Sequence, residues 1–277
     1  DELISKNFNV IASSRRATNI SKKIEQFRVN SIDQFTDWTN VLPKCDTVIH
    51  LAAKAHDLKD SGENKISSSY KTINTLATIN LAKQSINHGI KKFIFISTIG
   101  VNGSNTPNKA FSFDDIPNPH SPYAKSKYEA EKALNMLVKN SGMKLIIIRP
   151  PLIYSLNAPG NLNNFIKLVK YNVPLPFKNV KNKRSFISLE NLINLISHCL
   201  NFDECESVTI LASNGKEIST KDLLTKIGSD LNIKVKFFYF PISLFAVFFY
   251  LLQKKRTFNS LFGDLVIDIT HTRKVIH

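Results

Sequence analysis

Short apolar runs rich in β-branched residues recur along the first half of the chain. They lie at 8–13, 47–51, 92–96 and 144–148, whereas the run at 207–212 is expected to be a return strand of the later part of the chain. Continuous runs of this length are typical of strands buried on both faces of a parallel sheet. Segments with helical spacing separate them at 67–87 and 121–139. The alternation of strand and helix predicts an α/β fold with a doubly wound parallel sheet.

The pattern changes after residue 149. A loop with Pro150, Pro151 and Pro159 comes first, and helical spacing then dominates at 163–171, 189–201 and 219–231. We therefore predict two parts. Residues 1–150, with a return segment at about 185–203, form a Rossmann-like dinucleotide-binding domain, and residues 151–277 form a smaller, mostly helical substrate-binding lobe.

The helix predicted at 121–139 carries clear end signals. Ser121 suits the N-cap, Pro122 suits the first helical position, and Gly142 lies just past the end. These signals define the boundaries of this helix better than those of any other element.

An almost wholly apolar stretch at 237–252 is followed by Lys254, Lys255 and Arg256. Its sixteen residues, interrupted by Pro241, fall short of the roughly 20 that cross a bilayer as a helix. Two interpretations stay open: a buried or partner-facing helix, and an in-plane membrane contact through 237–256 with the basic cluster at the lipid headgroups.

Composition narrows the class of protein. The chain has 277 residues, 43% of them hydrophobic, and a formal net charge of +15. Only seven of its 37 basic residues are arginine, and the lysines are scattered along the chain, so a solvated lysine-rich surface is favoured over a nucleic-acid interface. A substrate that carries phosphates is compatible with this charge.

Cysteines and histidines suggest no metal site. The three cysteines lack a close paired spacing, which argues against a disulfide framework and favours a reducing, cytoplasmic environment. The seven histidines have no metal-ligand spacing either.

Tyr123 and Lys127 are four residues apart in the predicted helix at 121–139, so both side chains lie on one face. A tyrosine is a poor acid or base at neutral pH, and an adjacent ammonium stabilises its phenolate and lowers its pKa. The pair is therefore a candidate general acid/base, although surface pairs of the same spacing are common.

The ends of two predicted strands strengthen this interpretation. Ser97 and Thr98 follow the strand at 92–96, and the small residues Ala52 and Ala53 follow the strand at 47–51. Open α/β sheets bind their ligands at the carboxyl ends of their strands. The sequence therefore predicts a nucleotide site at this edge of the sheet.

Five segments, in their order and spacing, resemble the extended short-chain dehydrogenase/reductase family, in its NAD-dependent epimerase/dehydratase branch. They are 46–53, 73–82, 95–98, 123–127 and 148–154. The resemblance implies that Tyr123 is the general acid/base, that Lys127 binds the nicotinamide ribose, and that Thr98, 25 residues before the tyrosine, hydrogen-bonds the reacting oxygen. It implies an NAD or NADP cofactor contacted by Leu51, Ala52, Ala53, Ser97, Tyr123, Lys127 and Pro150.

Four further residues have weaker parallels. Asn74 resembles an asparagine that holds the catalytic lysine through water, Asn161 one that contacts the substrate diphosphate, and Arg184 an arginine that pairs with a sugar-nucleotide phosphate. His56 follows a strand end and is a candidate for contact with sugar hydroxyls. An incidental surface role is the alternative for each of them.

The glycine-rich loop that cradles the cofactor phosphates is absent from the chain. We interpret this as a fragment lacking the first strand and cut early at its far end, with lost cofactor binding as the alternative. Arg15 and Arg16 follow the run at 8–13, and this position lacks the carboxylate that would hydrogen-bond the adenosine ribose 2′-hydroxyl of NAD. Because arginines can bind the 2′-phosphate of NADP instead, NADP is slightly favoured over NAD.

The leading hypothesis is a 4-epimerase of UDP-hexoses or UDP-N-acetylhexosamines in surface polysaccharide synthesis, acting as a homodimer. The alternatives are an NADPH-dependent 4-ketosugar reductase, a non-catalytic dinucleotide-fold sensor and a membrane-associated hydroxysteroid-type dehydrogenase. A dehydratase is disfavoured because Ile99 and Gly100, and not an acidic pair, follow Thr98.

Overall fold

The computed structural model describes residues 2–15, 21, 24–55, 63–157, 160–202 and 207–276. In this part of the chain the strands are β1 (Ile11–Ser14), β2 (Glu25–Arg28), β3 (Thr47–His50), β4 (Lys92–Ile96), β5 (Lys144–Arg149), β6 (Leu152–Tyr154), β7 (Phe186–Ser188) and β8 (Val208–Leu211). The helices are α1 (Glu2–Ser5), α2 (Glu63–Tyr70), α3 (Ala77–Asn87), α4 (Pro122–Val138), α5 (Asn161–Lys170), α6 (Leu189–Asn201), α7 (Thr220–Asp230), α8 (Ile242–Leu251), α9 (Lys255–Phe262) and α10 (Thr270–Ile276).

The main sheet has the strand order β3-β4-β5-β8, and all its pairs are parallel. Within the described residues, β1 pairs in parallel with β2 in a separate sheet, and β6 pairs in parallel with β7. In the main sheet, Ile96 of β4 lies opposite Ile148 of β5. The carboxyl ends of β3, β4 and β5 therefore meet at one edge.

Successive residues of β4 face opposite sides of the sheet. Phe93 and Phe95 pack with α3 and α4 in one core, whereas Ile94 packs with α6 in another. This alternation covers both faces with helices, as a doubly wound sheet requires. The predicted α/β class is confirmed.

The helix α4 is capped as its sequence predicts. Ser121 is the N-cap and its side-chain oxygen accepts a hydrogen bond from the backbone N–H of Ala124, while Pro122 is the first helical residue. The helix ends at Val138, a few residues before Gly142.

The helix predicted at 67–87 is interrupted. A π-helical segment, Lys71–Leu76, separates α2 from α3 and buries Asn74 and Thr75. A π segment widens the helix by about one residue per turn and is frequent at functional sites.

The second lobe has its own core, built from α5, α7 and the segment around Leu175 and Phe177. β8 pairs with β5, so residues 208–211 belong to the main sheet, although we had grouped them with this lobe. The division of the chain into domains otherwise stays a prediction.

The apolar stretch at 237–252 forms α8, preceded by Pro241 at the N-cap. None of the residues of α8 is buried, which is unusual for a helix so apolar. Among the described helices, none combines the length and hydrophobicity needed to cross a membrane.

Candidate active site

Two hydroxyl side chains lie at the carboxyl end of β4. Thr98 is the N-cap of a 3-10 turn at Ile99–Val101, and its Oγ1 accepts a hydrogen bond from Gly100 N at 3.2 Å. Because this hydroxyl accepts from the backbone, its proton is available to donate to a bound oxygen. Ser97 is buried, and its backbone N–H donates to Ile148 O at 2.8 Å.

Gly100 brings this turn against the start of α4. A Cβ at position 100 would lie 3.3 Å from Ala124 Cβ, 3.2 Å from His120 Cε1 and 3.4 Å from Thr98 Oγ1. The missing side chain therefore lets the Thr98 turn approach the first turn of α4, which carries Tyr123.

Lys127 reaches the same strand end from α4. Its Nζ donates to Ile96 O at 2.7 Å and lies 4.3 Å from the centroid of the Phe95 ring. Its side chain is fully buried, and burial lowers the pKa of Lys127 to about 7, against a smaller opposing effect of Glu131. The ammonium is thus anchored at the edge of the sheet where the sequence predicts the nucleotide site.

Tyr123 lies one helical turn before Lys127, and its ring packs edge-on against Tyr70 with a centroid separation of 6.2 Å. Burial raises the pKa of Tyr123 to about 12, and Tyr70 adds to this. The expectation that Lys127 lowers this pKa is wrong for this structure. Desolvation of the phenolate outweighs any help from the ammonium, which is directed at Ile96 O.

Asn74, in the π segment, ties the loop after β3 to α4. Its Nδ2 donates to Lys54 O at 2.9 Å and to Ser126 Oγ at 3.0 Å, and its Oδ1 accepts from Lys54 N at 2.8 Å. Thr75 Oγ1 donates to Ser126 O at 2.9 Å. The π segment therefore holds α4 at the residue before Lys127, and the water-mediated role that we expected for Asn74 stays a prediction.

A second chain of hydrogen bonds leads from β3 to the same segment. Thr78 Oγ1 donates to Asn74 O at 2.9 Å, so it accepts from His50 Nε2, also at 2.9 Å. His50 is buried between Phe93 and Phe95, and burial lowers its pKa to about 3, with a further contribution from the Lys127 charge. His50 is therefore a neutral core residue.

The residues at this edge suit the nicotinamide-ribose end of a dinucleotide. Within the described residues, the buried Ser97 Oγ has no hydrogen-bond partner, which is costly unless a ligand supplies one. Lys127 keeps two of its N–H donors beyond the bond to Ile96 O. Leu51 and Ala53 are exposed beside β3, and Pro150 O accepts from Ile99 N at 2.9 Å, so Pro150 lies at the same edge.

The remaining predicted contacts lie elsewhere. Arg15 is exposed beyond β1, and Ala52 is half-buried after β3. Arg184 belongs to the second lobe, where its Nη1 donates to Gly263 O at 2.9 Å and to Asn259 O at 3.3 Å. Arg16, His56 and the side chain of Asn161 lie outside the described residues. Contacts of these six residues with a ligand stay predictions.

The sequence interpretation missed a buried ion pair. Arg149, at the end of β5, donates from Nη2 and Nε to the two carboxylate oxygens of Glu131 at 2.6 and 3.0 Å, and from Nη1 to Asn102 Oδ1 at 2.9 Å. Its signal was present, since Glu131 lies four residues after Lys127 on the face of α4 that meets the sheet. A carboxylate there requires a buried cation.

Comparison with known families finds one match over most of the chain. The sequence profile of the NAD dependent epimerase/dehydratase family matches residues 1–210.

Two curated proteins and one solved structure are informative. UDP-glucose 4-epimerase of Vibrio cholerae is 36% identical over 252 residues, 90% of this chain and 76% of that protein. N-acetyl-alpha-D-glucosaminyl-diphospho-ditrans,octacis-undecaprenol 4-epimerase of Escherichia coli O157:H7 is 26% identical over 204 residues, 72% of this chain and 59% of that protein. The crystal structure of UDP-glucuronic acid 4-epimerase from Bacillus cereus in complex with NAD has a TM-score of 0.72 at 20% identity, over 93% of this chain and 76% of that chain.

Proposed function

The chain belongs to the NAD-dependent epimerase/dehydratase family, and on that premise we propose that it is a nucleotide-sugar 4-epimerase that acts on a UDP-hexose or UDP-N-acetylhexosamine. The observation that carries the proposal is the convergence of Lys127 and Thr98 on the carboxyl end of β4, with Tyr123 one helical turn before the lysine. The 36% identity to a UDP-glucose 4-epimerase supports the same reaction.

We assign the proton transfer to Tyr123. Its phenolate takes the proton of the sugar 4-hydroxyl in the forward half-reaction, and the hydroxyl so formed returns it in the reverse half. Thr98 Oγ1 donates to the same oxygen, because its own acceptor role is already filled by Gly100 N. Ser97 Oγ, buried and without a partner in the described residues, is a further donor at this edge.

A bound NAD would supply the hydride acceptor and donor that inversion at sugar C4 requires. We assign its nicotinamide ribose to Lys127, whose fully buried side chain is held at this strand end by Ile96 O. The family and the NAD complex of a structural neighbour support NAD.

The test is an epimerisation assay with the protein expressed from its complete reading frame. We expect UDP-glucose or UDP-N-acetylglucosamine to yield its C4 epimer without added reductant, as followed by chromatography. Tyr123→Phe should lower kcat by about a hundredfold or more, because the proton carrier is lost. The matched pair Thr98→Ser and Thr98→Val separates the hydroxyl from the side-chain shape, and only the valine variant should be strongly impaired.

A 4-ketosugar reductase would give a different result. Such an enzyme consumes NADPH stoichiometrically on a 4-keto substrate and leaves the UDP-hexoses unchanged. Reductant consumption without epimer formation would replace the epimerase proposal. A wild-type protein that binds its cofactor fully but shows neither activity would count against both the epimerase and the reductase.

A second candidate substrate is a sugar carried on a polyprenyl diphosphate, the class named for the Escherichia coli relative. The exposed apolar helix α8 favours it, since a lipid-linked substrate must be reached at a bilayer. The assay distinguishes the two carriers when the UDP-sugar and the polyprenyl-diphosphate sugar are tested in parallel. The one that is converted with the higher kcat/KM is the preferred substrate.

The oligomeric state, the cellular compartment and the biological role of the protein are proposed from separate observations. We propose a homodimer, for which the neighbouring helices α3 and α4 and the exposed Met136 on α4 offer a two-helix seam; sedimentation equilibrium would measure the mass. The reduced thiols of Cys45 and Cys199 suit a reducing, cytoplasmic environment. UDP-sugars suit a role in surface polysaccharide synthesis.

A further inference from the structure

The outer face of α8 is covered with exposed, large apolar side chains. Leu244, Val247, Phe248 and Leu251 recur at helical spacing, with 54 to 74% of their surfaces accessible to solvent. A surface helix of a globular protein normally turns polar residues outward. An exposed apolar stripe of this kind marks an interaction surface.

The exposure does not result from a detached helix. On the inner face of α8, the Phe245 ring stacks on Phe262 of α9 at a centroid distance of 5.0 Å, and Phe249 meets Phe258 of α9 at 6.2 Å. Phe262 in turn stacks on Phe177 in the core of the second lobe at 5.7 Å. The helix α8 is thus packed against α9 through one face, and its opposite face is exposed to solvent.

Charge along this segment of the chain is of one sign. No acidic residue occurs between Asp230 and Asp264. The same segment contains five exposed basic residues: Lys234, Lys236, Lys254, Lys255 and Arg256. Three of these follow α8 directly, so a cationic cluster borders the apolar stripe.

This combination favours an anionic bilayer over a second copy of the chain. A symmetric pair of these surfaces would bring identical cationic clusters together, in a chain whose net charge is already +15. A lipid surface offers hydrocarbon to the stripe and phosphates to the cluster. The ten residues of α8 are too few to span, which leaves an orientation in the plane of the interface.

We propose that the α8–α9 surface docks the protein in the plane of an anionic membrane. Leu244, Phe248 and Leu251 enter the boundary between headgroups and acyl chains, and Lys254, Lys255 and Arg256 meet the lipid phosphates. Tyr239, shortly before α8, is exposed, and tyrosine rings are enriched at membrane–water interfaces. One apolar anchor and one polybasic cluster are the two signals that stable membrane binding requires.

The docked surface lies beside the candidate active site. The Arg256 charge acts on His120, which itself contacts Gly100 O through Nδ1 at 3.3 Å. Arg184 donates to Asn259 O in α9. Docking would therefore bring the second lobe and the turn at Gly100, which His120 contacts, close to the lipid surface.

Vesicle co-sedimentation tests the proposal independently of any catalytic activity. The wild-type protein should sediment with phosphatidylcholine vesicles that contain roughly one third phosphatidylglycerol, and only weakly with phosphatidylcholine alone. The triple variant Lys254→Gln, Lys255→Gln, Arg256→Gln should lower the partition coefficient about a hundredfold. Leu244→Ser with Phe248→Ser and Leu251→Ser should lower it about tenfold or more.

The matched control is Lys91→Gln, Lys132→Gln, Lys139→Gln, which removes the same charge from exposed positions elsewhere and should bind nearly as the wild type does. Because the outer side chains of α8 make no core, circular dichroism should show all variants folded. If both triple variants lost vesicle binding equally, the effect would depend on net charge alone, and the proposal would be overturned. So would a wild-type oligomer that the serine variant dissociates, since α8 would then be covered by a second copy.

Discussion

Two basic side chains are buried side by side near the end of β4, and each carries a strongly lowered pKa. His50 has a pKa of about 3 and Lys127 of about 7, in both cases chiefly because burial disfavours the charged form. The Lys127 charge lowers the pKa of His50 further. The fold therefore tolerates one cation at this position and excludes a second.

We therefore predict that His50 makes the free energy of unfolding fall as the pH is lowered. Between pH 6.5 and about 3 the unfolded chain binds a proton at this histidine and the folded chain does not, so stability rises with pH across that window. One such proton contributes a slope of about 1.4 kcal/mol per pH unit. His50→Leu should remove this slope from urea-unfolding free energies measured at pH 4 to 6.

Leucine is a fair replacement because Thr78 Oγ1 retains its bond to Asn74 O. His198→Gln, at an exposed position on α6, is the matched control and should keep the slope. If the His50→Leu protein lost stability with acid as steeply as the wild type, that loss would originate in other groups.

The period of one helix placed Tyr123 and Lys127 on the same face, and the strand end together with the family resemblance placed Thr98 beside them. It did not predict the direction of the Tyr123 pKa. That direction depends on burial against Tyr70, a residue far away in the sequence.

At the scale of elements, α4 is fixed to the sheet by a pair of buried charges. The side chains of Glu131 and Arg149 are only 3% and 6% exposed, and the guanidinium binds both carboxylate oxygens. A buried pair adds little over an apolar pair, but loss of one partner leaves a charge without compensation.

Glu131→Gln should therefore destabilise the protein by about 3–5 kcal/mol in urea unfolding. Adding Arg149→Met should restore a large part of that loss, because no unpaired charge remains. Glu2→Gln, which breaks the exposed pair with Lys6, should cost less than about 0.5 kcal/mol and serves as the control. A double variant as unstable as Glu131→Gln alone would assign the loss to packing instead of charge.

The helices show where periodicity fails as a predictor. The helix predicted at 189–201 matches α6 residue for residue, and Ser219 caps α7 as its sequence suggests. The π segment at Lys71–Leu76 escaped notice because it keeps a helical pattern of apolar residues. Its extra width follows from contacts of Asn74 and Thr75 with α4, which are tertiary.

At the scale of the whole molecule, the described residues include two parallel sheets, β1-β2 and β3-β4-β5-β8, that no strand pair joins. Within the described residues, β1 and β2 pair with each other, while Ile11, Phe27 and Val48 pack into one core. β4 and β5, in contrast, are paired on both sides and almost fully buried. The two sheets can therefore separate without breaking a strand pair.

We expect native-state hydrogen exchange to resolve this difference. Amides of β1 and β2 should exchange at least about tenfold faster than those of β4 and β5, because local opening of the smaller sheet exposes fewer apolar groups. Mass spectrometry of peptic peptides would measure both. Equal protection in the two sheets would mean that they open as one cooperative unit.

At this scale the sequence predicted the α/β class and the order of strands along the chain, since buried parallel strands read directly as apolar runs. It grouped β8 with the second lobe, whereas β8 pairs with β5, because a short apolar strand has the same sequence pattern in whichever sheet it lies. Nor did the apolar stretch at 237–252 reveal that α8 would stay uncovered, since apolar content does not distinguish core from interface.

The uncovered face of α8 gives the protein two opposite responses to salt. Sodium chloride weakens the attraction between lipid phosphates and the basic cluster of Lys254, Lys255 and Arg256, because the Debye screening length is only about 10 Å at 0.1 M salt. Added sodium chloride should therefore release the protein from vesicles. Sulfate strengthens apolar association, so ammonium sulfate should drive the free stripes of α8 toward one another. The protein would be recovered from lipid by raising sodium chloride and lost to precipitation by raising sulfate.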